Sequence, residues 1–230
     1  MRKTAAIAAA LLFVSIALVA SGQSQTSRTR IFRSAEVVTA SGVEIPPNSV
    51  ANGIVEMYLT IGAMGNVEDV RVARPLASVT DQAVRAVKTW TFEPATMRGK
   101  PVESRLTVVV VFCPPYGYGA GEISLSPLSA ESQKRPSDSG LPTASPEIVS
   151  ARFPAEGGGR VFDGPAVLRI LVGADGQPGL VRVVHGSPSL VDEARLAIKD
   201  WKFSPAQVNG KDVISGIVLA FQFRSTVTNQ

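Results

Sequence analysis

The chain has 230 residues, 45% of them hydrophobic and 18% charged, with 23 Lys+Arg against 19 Asp+Glu for a net charge of +4. This composition excludes whole-chain disorder, collagen and coiled coil, and the lack of a concentrated basic face excludes a nucleic-acid reader. A single cysteine, Cys113, and a single histidine, His185, exclude an intrachain disulfide, a multi-cysteine zinc site and any two-histidine metal motif.

Arg2 and Lys3 precede an apolar stretch from Ala5 to Ala20, broken only by Ser15 and followed by Ser21-Gly22-Gln23. The pattern predicts a secretory signal peptide over residues 1–22, cut after Gly22. The competing reading is an uncleaved anchor helix, although a bilayer span takes roughly 20 apolar residues and this run is slightly short. No cysteine follows the run, which argues against a lipoprotein anchor. The pattern predicts export, with membrane anchoring as the alternative. Residues 23–43 are expected to be irregular.

A first compact unit is expected over residues 44–113. Val55, Met57, Leu59 and Ile61 alternate with Glu56, Tyr58 and Thr60, the period of a half-buried strand. Met64-Gly65-Asn66 is a turn, and Val70 and Val72 return as a second strand. Ser78-x-x-Asp81 reads as a capping box that opens a helix. Val79, Ala83, Val87 and Trp90 fall on one helical face, and Pro94 forbids continuation. Gly99-Lys100 makes a turn, and Leu106 to Phe112 forms a long apolar closing strand.

Pro114-Pro115 opens a Pro-, Gly- and Ser-rich stretch, so residues 114–149 are expected to be a flexible linker. Residues 150–225 then form a second unit that copies the first. An offset of 111 aligns 53–112 with 164–223 without a gap, and 21 of the 60 pairs are identical. Lys88-x-Trp90-x-Phe92-x-Pro94-Ala95-x-x-x-Gly99-Lys100-x-Val102 recurs as Lys199-x-Trp201-x-Phe203-x-Pro205-Ala206-x-x-x-Gly210-Lys211-x-Val213. Asp175-Gly176 predicts a type I′ hairpin turn. Ser189-x-x-Asp192 is the second capping box, and Leu190, Ala194, Ile198 and Trp201 make the matching helical face. Ile217 to Phe223 closes the unit. Two long repeats mean tandem domains rather than a solenoid. The predicted fold class is α+β: two tandem ββαβ domains, each a three-stranded antiparallel sheet with one helix packed on it.

A hairpin, a helix ending in Trp-x-Phe-x-Pro-Ala, then Gly-Lys-x-Val and a terminal strand ending in Phe: this pattern resembles the C-terminal domain of TonB, an energy transducer of the Gram-negative envelope. The resemblance covers both halves. It implies a periplasmic domain that pairs one strand with an extended peptide, the TonB box, of an outer-membrane transporter or other envelope protein. An anchored chain would also meet an inner-membrane energising complex. A proline motif before the first strand takes part in the family's contact; Phe153-Pro154 resembles it in the second copy, and Ile45-Pro46-Pro47 only roughly in the first. The chain departs from TonB in having two such domains, a short segment before the first, and an apolar run with no His.

Strand addition to a sheet edge is the physical basis expected for binding. Five or six backbone bonds at ~1 kcal/mol net, with side-chain pockets, reach micromolar affinity if ordering costs little. The candidate edge is the terminal strand of each copy. The expected peptide-binding residues are therefore Phe153, Pro154, Ser215, Ile217, Leu219, Phe221 and Phe223, with Leu106, Val108, Val110 and Phe112. The alternative is that such apolar strands are central or self-pairing, including pairing of the two copies in cis. Adaptor activity without energy transduction and self-association through sheet edges remain the competing functions.

No catalytic, cofactor or metal site is expected, and the chain is read as non-enzymatic. His185 is read as a surface histidine. Ser187 and Ser215 lack the Gly-x-Ser-x-Gly setting of an activated nucleophile. Gly157-Gly158-Gly159 follows no predicted strand and is a weak phosphate-binding signal. Lys88 and Lys199 suit a helix C-terminus. Arg71 and Arg182 are placed to grip an acidic peptide, although solvated strand-face charges are the simpler reading. Trp90, Phe92, Trp201 and Phe203 are core anchors. Cys113 at a strand end leaves crosslinking of two chains open.

Overall fold

The computed structural model describes residues 32–46, 49–114, 121–128, 146–155, 162–208 and 210–224. The expected leader over 1–22 and the Gly157–Gly159 run lie outside the described residues. Among those described, no helix is long and apolar enough to cross a membrane.

The first half runs β1 (Phe32–Arg33), β2 (Glu36–Thr39), β3 (Gly53–Ile61), β4 (Val67–Arg74), α1 (Thr80–Val87), β5 (Thr91–Glu93), β6 (Ala95–Met97), β7 (Lys100–Val102) and β8 (Ser104–Phe112). The second repeats it as β9 (Glu147–Ser150), β10 (Gly164–Val172), β11 (Pro178–His185), α2 (Pro188–Ile198), β12 (Lys202–Ser204), β13 (Ala206–Val208), β14 (Lys211–Val213) and β15 (Ser215–Phe223). The expected helical faces are buried throughout: Val79, Ala83, Val87 and Trp90 in one half, Leu190, Ala194, Ile198 and Trp201 in the other.

Both hairpin turns are built on a glycine at positive φ. Gly65 (φ 83°) and Gly176 (φ 75°) adopt it, whereas Asp175 does not, so the expected type I′ turn is corrected to one with a single left-handed residue. These glycines also admit a close approach. A Cβ on Gly65 would lie 2.0 Å from the Phe92 carbonyl oxygen, and one on Gly176 would lie 2.1 Å from that of Phe203. Phe92 N–H donates to Gly65 O at 3.1 Å and Phe203 N–H to Gly176 O at 3.0 Å, tying each hairpin tip to the Trp-x-Phe strand.

The expected capping boxes are not formed. Val79 and Ser187 occupy the N-cap positions, neither with a side-chain capping bond. Pro188, preorganised for the first helical position, starts α2 ahead of Ser189. Ser78 sits at φ 71°, and Thr80 Oγ1 closes the entry to α1 instead, donating to Leu76 O at 2.7 Å.

The expected pair of separate three-stranded sheets is also corrected. Each half does contribute three antiparallel strands, but the two sets join edge to edge in one six-stranded sheet, β11-β10-β15-β8-β3-β4. The seam is the parallel pair β15–β8, from Ile217 opposite Thr107 to Gln222 opposite Phe112.

Parallel pairing of two equivalent strands relates the halves by a half-turn about an axis along the strands. A half-turn exchanges the faces of the sheet, whereas neighbouring residues across a ladder must share a face. The register is accordingly one residue out of step with the repeat: Thr107, whose repeat mate is Val218, pairs with Ile217. Two cores result, on opposite faces. The α1 residues pack with Leu106, Val108, Val110 and Phe112, joined by Val218 and Ala220 of the other half. The α2 residues pack with Ile217, Leu219, Phe221 and Phe223, joined by Val109 and Val111. Such double-faced burial explains why the terminal strands are apolar on both sides.

Two segments expected to be irregular are structured. Within 23–43, β2 pairs with β5, and β1 pairs with β6. Within 114–149, β9 pairs with β12, and residues 121–123 run beside 151–153, with Ile123 N–H donating to Ala151 O at 2.9 Å. The missed signal is the repeat itself. Glu36-Val37-Val38-Thr39-Ala40 stands at the same offset of 111 from Glu147-Ile148-Val149-Ser150-Ala151.

Candidate functional site

A strand-binding site needs an edge whose backbone groups are unpaired, so the ladder partners decide which strands qualify. β8 is bonded to β3 along Ser104–Phe112 and to β15 on its other side. β15 is bonded to β10 along its whole length and to β8 opposite. The expectation of open terminal strands is therefore corrected: each supplies the partner the other lacks.

The side chains of the expected residues follow the same logic. Leu106, Val108, Val110, Phe112, Ile217, Leu219, Phe221 and Phe223 are all buried. Phe221 lies between Trp201, tilted against it at 5.7 Å, and Phe223, stacked on it at 6.1 Å between ring centroids. Ser215 stands at the start of β15, its hydroxyl buried. Phe153 and Pro154 are separated from that cluster in chain position but half-exposed, with Phe153 packed against the α2 core and its N–H donating to Gly121 O at 3.1 Å. Trp201 Nε1 donates to Arg152 O at 2.9 Å, pinning the segment just before them.

The sheet's outer strands are β4 and β11, each bonded to one neighbour among the described strands. On each, an arginine reaches across to the leading strand of the other half. Arg182 Nη2 on β11 donates to Val37 O at 2.7 Å on β2. Arg74 on β4 donates to Ile148 O at 3.5 Å on β9, and to Ser126 O. The halves are thus clasped in both directions as well as laddered at the seam.

The surroundings of the two outer strands differ in charge. Beside β4, Glu56 is fully buried and accepts from Arg74 Nε at 2.7 Å. Burial raises its carboxyl from 4.5 to about 7, against the lowering effect of the Arg74 hydrogen bond and charge. Tyr58 OH donates to Glu147 Oε1 at 3.2 Å, and burial, followed by the charges of Glu56 and Glu147, pushes the phenol up. Glu68 and Asp69 are exposed on β4 itself. Acid predominates here.

Beside β11 the balance is reversed. Arg169 on β10 is directly opposite Arg182. Arg169 is only 8% exposed and donates from Nη2 to Ser34 Oγ at 2.9 Å, while its Nε is buried without a partner among the described residues. Burial, with the charges of Arg182 and Arg33, lowers its pKa, and Glu36 opposes that shift. Glu36 is shared by Arg33 at 3.6 Å and Arg182 at 3.7 Å, and Arg33 also meets Glu93 at 2.6 Å.

The remaining sequence candidates sit as follows. His185 is exposed at the end of β11, as a surface histidine should be. Cys113 is buried beyond β8, its thiol pushed up by desolvation, with its carbonyl accepting from Arg224 Nε at 3.3 Å. Trp90, Phe92, Trp201 and Phe203 are buried anchors. Among the described residues no group of three His, Cys, Asp or Glu side chains is placed to hold a metal ion.

Compared with known proteins, the family described as Gram-negative bacterial TonB protein C-terminal matches the chain twice, over residues 49–114 and 150–225. No curated protein matches it.

Proposed function

The chain belongs to the family of Gram-negative bacterial TonB C-terminal domains, and on that premise we propose that it is a non-enzymatic periplasmic protein that binds an extended segment of an envelope partner by strand addition. The family supports a role in the envelope, in the energy-transduction machinery that serves outer-membrane transport. The finer reading rests on one observation: the two terminal strands are spent on each other at the seam, leaving β4 and β11 as the outer strands of the sheet. A guest strand added at an outer strand has no ladder of the sheet to open first. Entry at β8 or β15 would first have to open the parallel ladder.

The residues expected to bind peptide on the terminal strands take a different role in this reading. Leu106, Val108, Val110 and Phe112, with Ile217, Leu219, Phe221 and Phe223, hold the two halves together as one body. An adaptor with two fixed, outward-facing edges fits this arrangement better than a transducer that engages through its terminal strand.

The test is an amide map of the full chain titrated with extended peptides from outer-membrane transporters. Shifts confined to β4 or β11 support edge addition. Shifts confined to β8 and β15 reject it in favour of seam opening, and unperturbed spectra at high peptide concentration reject strand binding altogether. Mass spectrometry of the mature N-terminus separates a released adaptor, which starts after Gly22, from an anchored protein that keeps Met1.

A further inference from the structure

We propose that the two outer strands are not equivalent, and that β11 is the docking edge for a partner segment in which apolar residues alternate with acidic ones. The inference rests on the edge-addition reading and names the edge and the chemistry of its guest.

Edge strands are protected from pairing mainly by charge. Four of the eight β4 residues are charged, Glu68, Asp69, Arg71 and Arg74, and Arg74 is committed to the buried Glu56. β11 reads Pro-Gly-Leu-Val-Arg-Val-Val-His, with Arg182 as its one permanently charged side chain. Val183 is 41% exposed there, an apolar residue open to solvent on a strand with a free side. β11 is the less protected edge.

The pleat then fixes what a guest must look like. Successive residues on β11 face opposite sides of the sheet. Val181 packs against the α2 core, whereas Arg182 points to the other face, where it bonds to Val37 O. A strand laid beside β11 repeats that alternation: its residues level with Val181 and Val183 meet an apolar surface, and the residue level with Arg182 meets its half-exposed guanidinium. Glu36 is shared by Arg33 and Arg182, and Arg33 also holds Glu93, so both carboxylates are already engaged. Arg169 is turned the other way, its guanidinium over Gly216 of β15, and takes no part. A guest carboxylate level with Arg182 adds negative charge beside its exposed guanidinium. At β4 the residue equivalent to Arg182 is Arg71, but it stands among Glu68 and Asp69 on the strand and Glu147 behind it, so the same guest meets a predominantly acidic surrounding.

The experiment uses the full chain, isotope-labelled, with two fluorescent seven-residue probes: alternating valine and glutamate, and alternating valine and lysine. The expected result is micromolar binding of the valine–glutamate probe, amide shifts over residues 179–185, and little binding of the valine–lysine probe. Arg182→Glu weakens the first probe by roughly tenfold or more, as reversing the charge that faces a guest carboxylate does, while Glu68→Lys on β4 leaves its affinity unchanged. Equal affinity for both probes, or an affinity indifferent to Arg182→Glu, overturns the inference. Shifts at β4 in place of β11 overturn it too, while leaving edge addition standing. Shifts at neither edge defeat both readings. A mass that rises with protein concentration, accompanied by probe-independent shifts along β11, would identify a second copy of the chain as the occupant and likewise overturn it. The two-probe comparison on unmodified protein keeps the test decisive even if Arg182→Glu fails to fold.

Discussion

Replacing Glu56 with Gln should remove most of the acid-side pH dependence of stability. Glu56 is fully buried on β3, and its carboxyl is raised from 4.5 to about 7, chiefly by desolvation. Below about 4.5 the group is protonated in both the folded and the unfolded chain, and the folded state carries no penalty for it. As pH rises from there towards 7, only the unfolded chain gives up the proton, so stability falls with pH and levels off above the folded value. At about 1.4 kcal/mol per pKa unit, the loss amounts to about 3 kcal/mol across this window. Gln keeps an acceptor for Arg74 and cannot ionise. Urea titrations at pH 5 and pH 8, followed by the fluorescence of the buried Trp90 and Trp201, provide the assay. The stability difference between the two pH values should be larger in the unmodified protein than in Glu56→Gln by about 2–3 kcal/mol, because at pH 5 the unfolded carboxyl is already mostly ionised, a midpoint difference on the order of 1 M urea. Comparing differences cancels the constant effect of leaving Arg74 without its counter-ion. Parallel pH profiles for the two proteins would refute the reasoning, since they would mean that Glu56 is ionised equally in both states.

Gly65→Ala and Gly176→Ala should each destabilise by about 1–3 kcal/mol, because the new Cβ meets a carbonyl oxygen at 2.0 or 2.1 Å in addition to the positive φ. Gly99→Ala shares a φ of 81° but meets nothing within 4 Å, so it should cost only about 1 kcal/mol; equal losses in urea titration at all three sites would contradict the hairpin docking. A chain starting at residue 146, which lacks β8, exposes the inner edge of β15 and should dimerise, read as a doubled mass by light scattering; a monodisperse monomer would argue against the seam as the reason for the strand's apolar faces. Cys113 is buried with a raised thiol pKa, so a thiol reagent at neutral pH should modify it far faster in denaturant than in the native protein. Equal rates would place it at the surface and restore crosslinking between chains as an option.

Much of the architecture was readable residue by residue. The repeat, the alternation in β3, the glycine hairpins, the apolar helical faces and the Trp-x-Phe anchors all express local periodicity or local backbone chemistry, which a sequence displays directly. The helix starts are not legible locally, because Ser78 and Ser189 fit a capping pattern that Thr80 and Pro188 pre-empt. The leading strands β2 and β9 are each four residues long and too short to show a period, although the repeat offset marks them.

The seam is a different matter. Thr107, Val109 and Val111 announced a second buried face on the closing strand, yet nothing in that run names what buries it. Backbone hydrogen bonding is the same for every residue type, so an apolar strand is as well served by a foreign peptide as by its own repeat. Sequence alone determined the unit and its burial. Only the tertiary structure decided the partner, because pairing β8 with β15 depends on bringing together strands over a hundred residues apart, with the one-residue stagger that a half-turn imposes. That same choice left β4 and β11 as the outer strands of the sheet, where the polar partners that distinguish them come from residues distant in the chain, Ser34 and Glu36 on one side and Ser126 and Glu147 on the other.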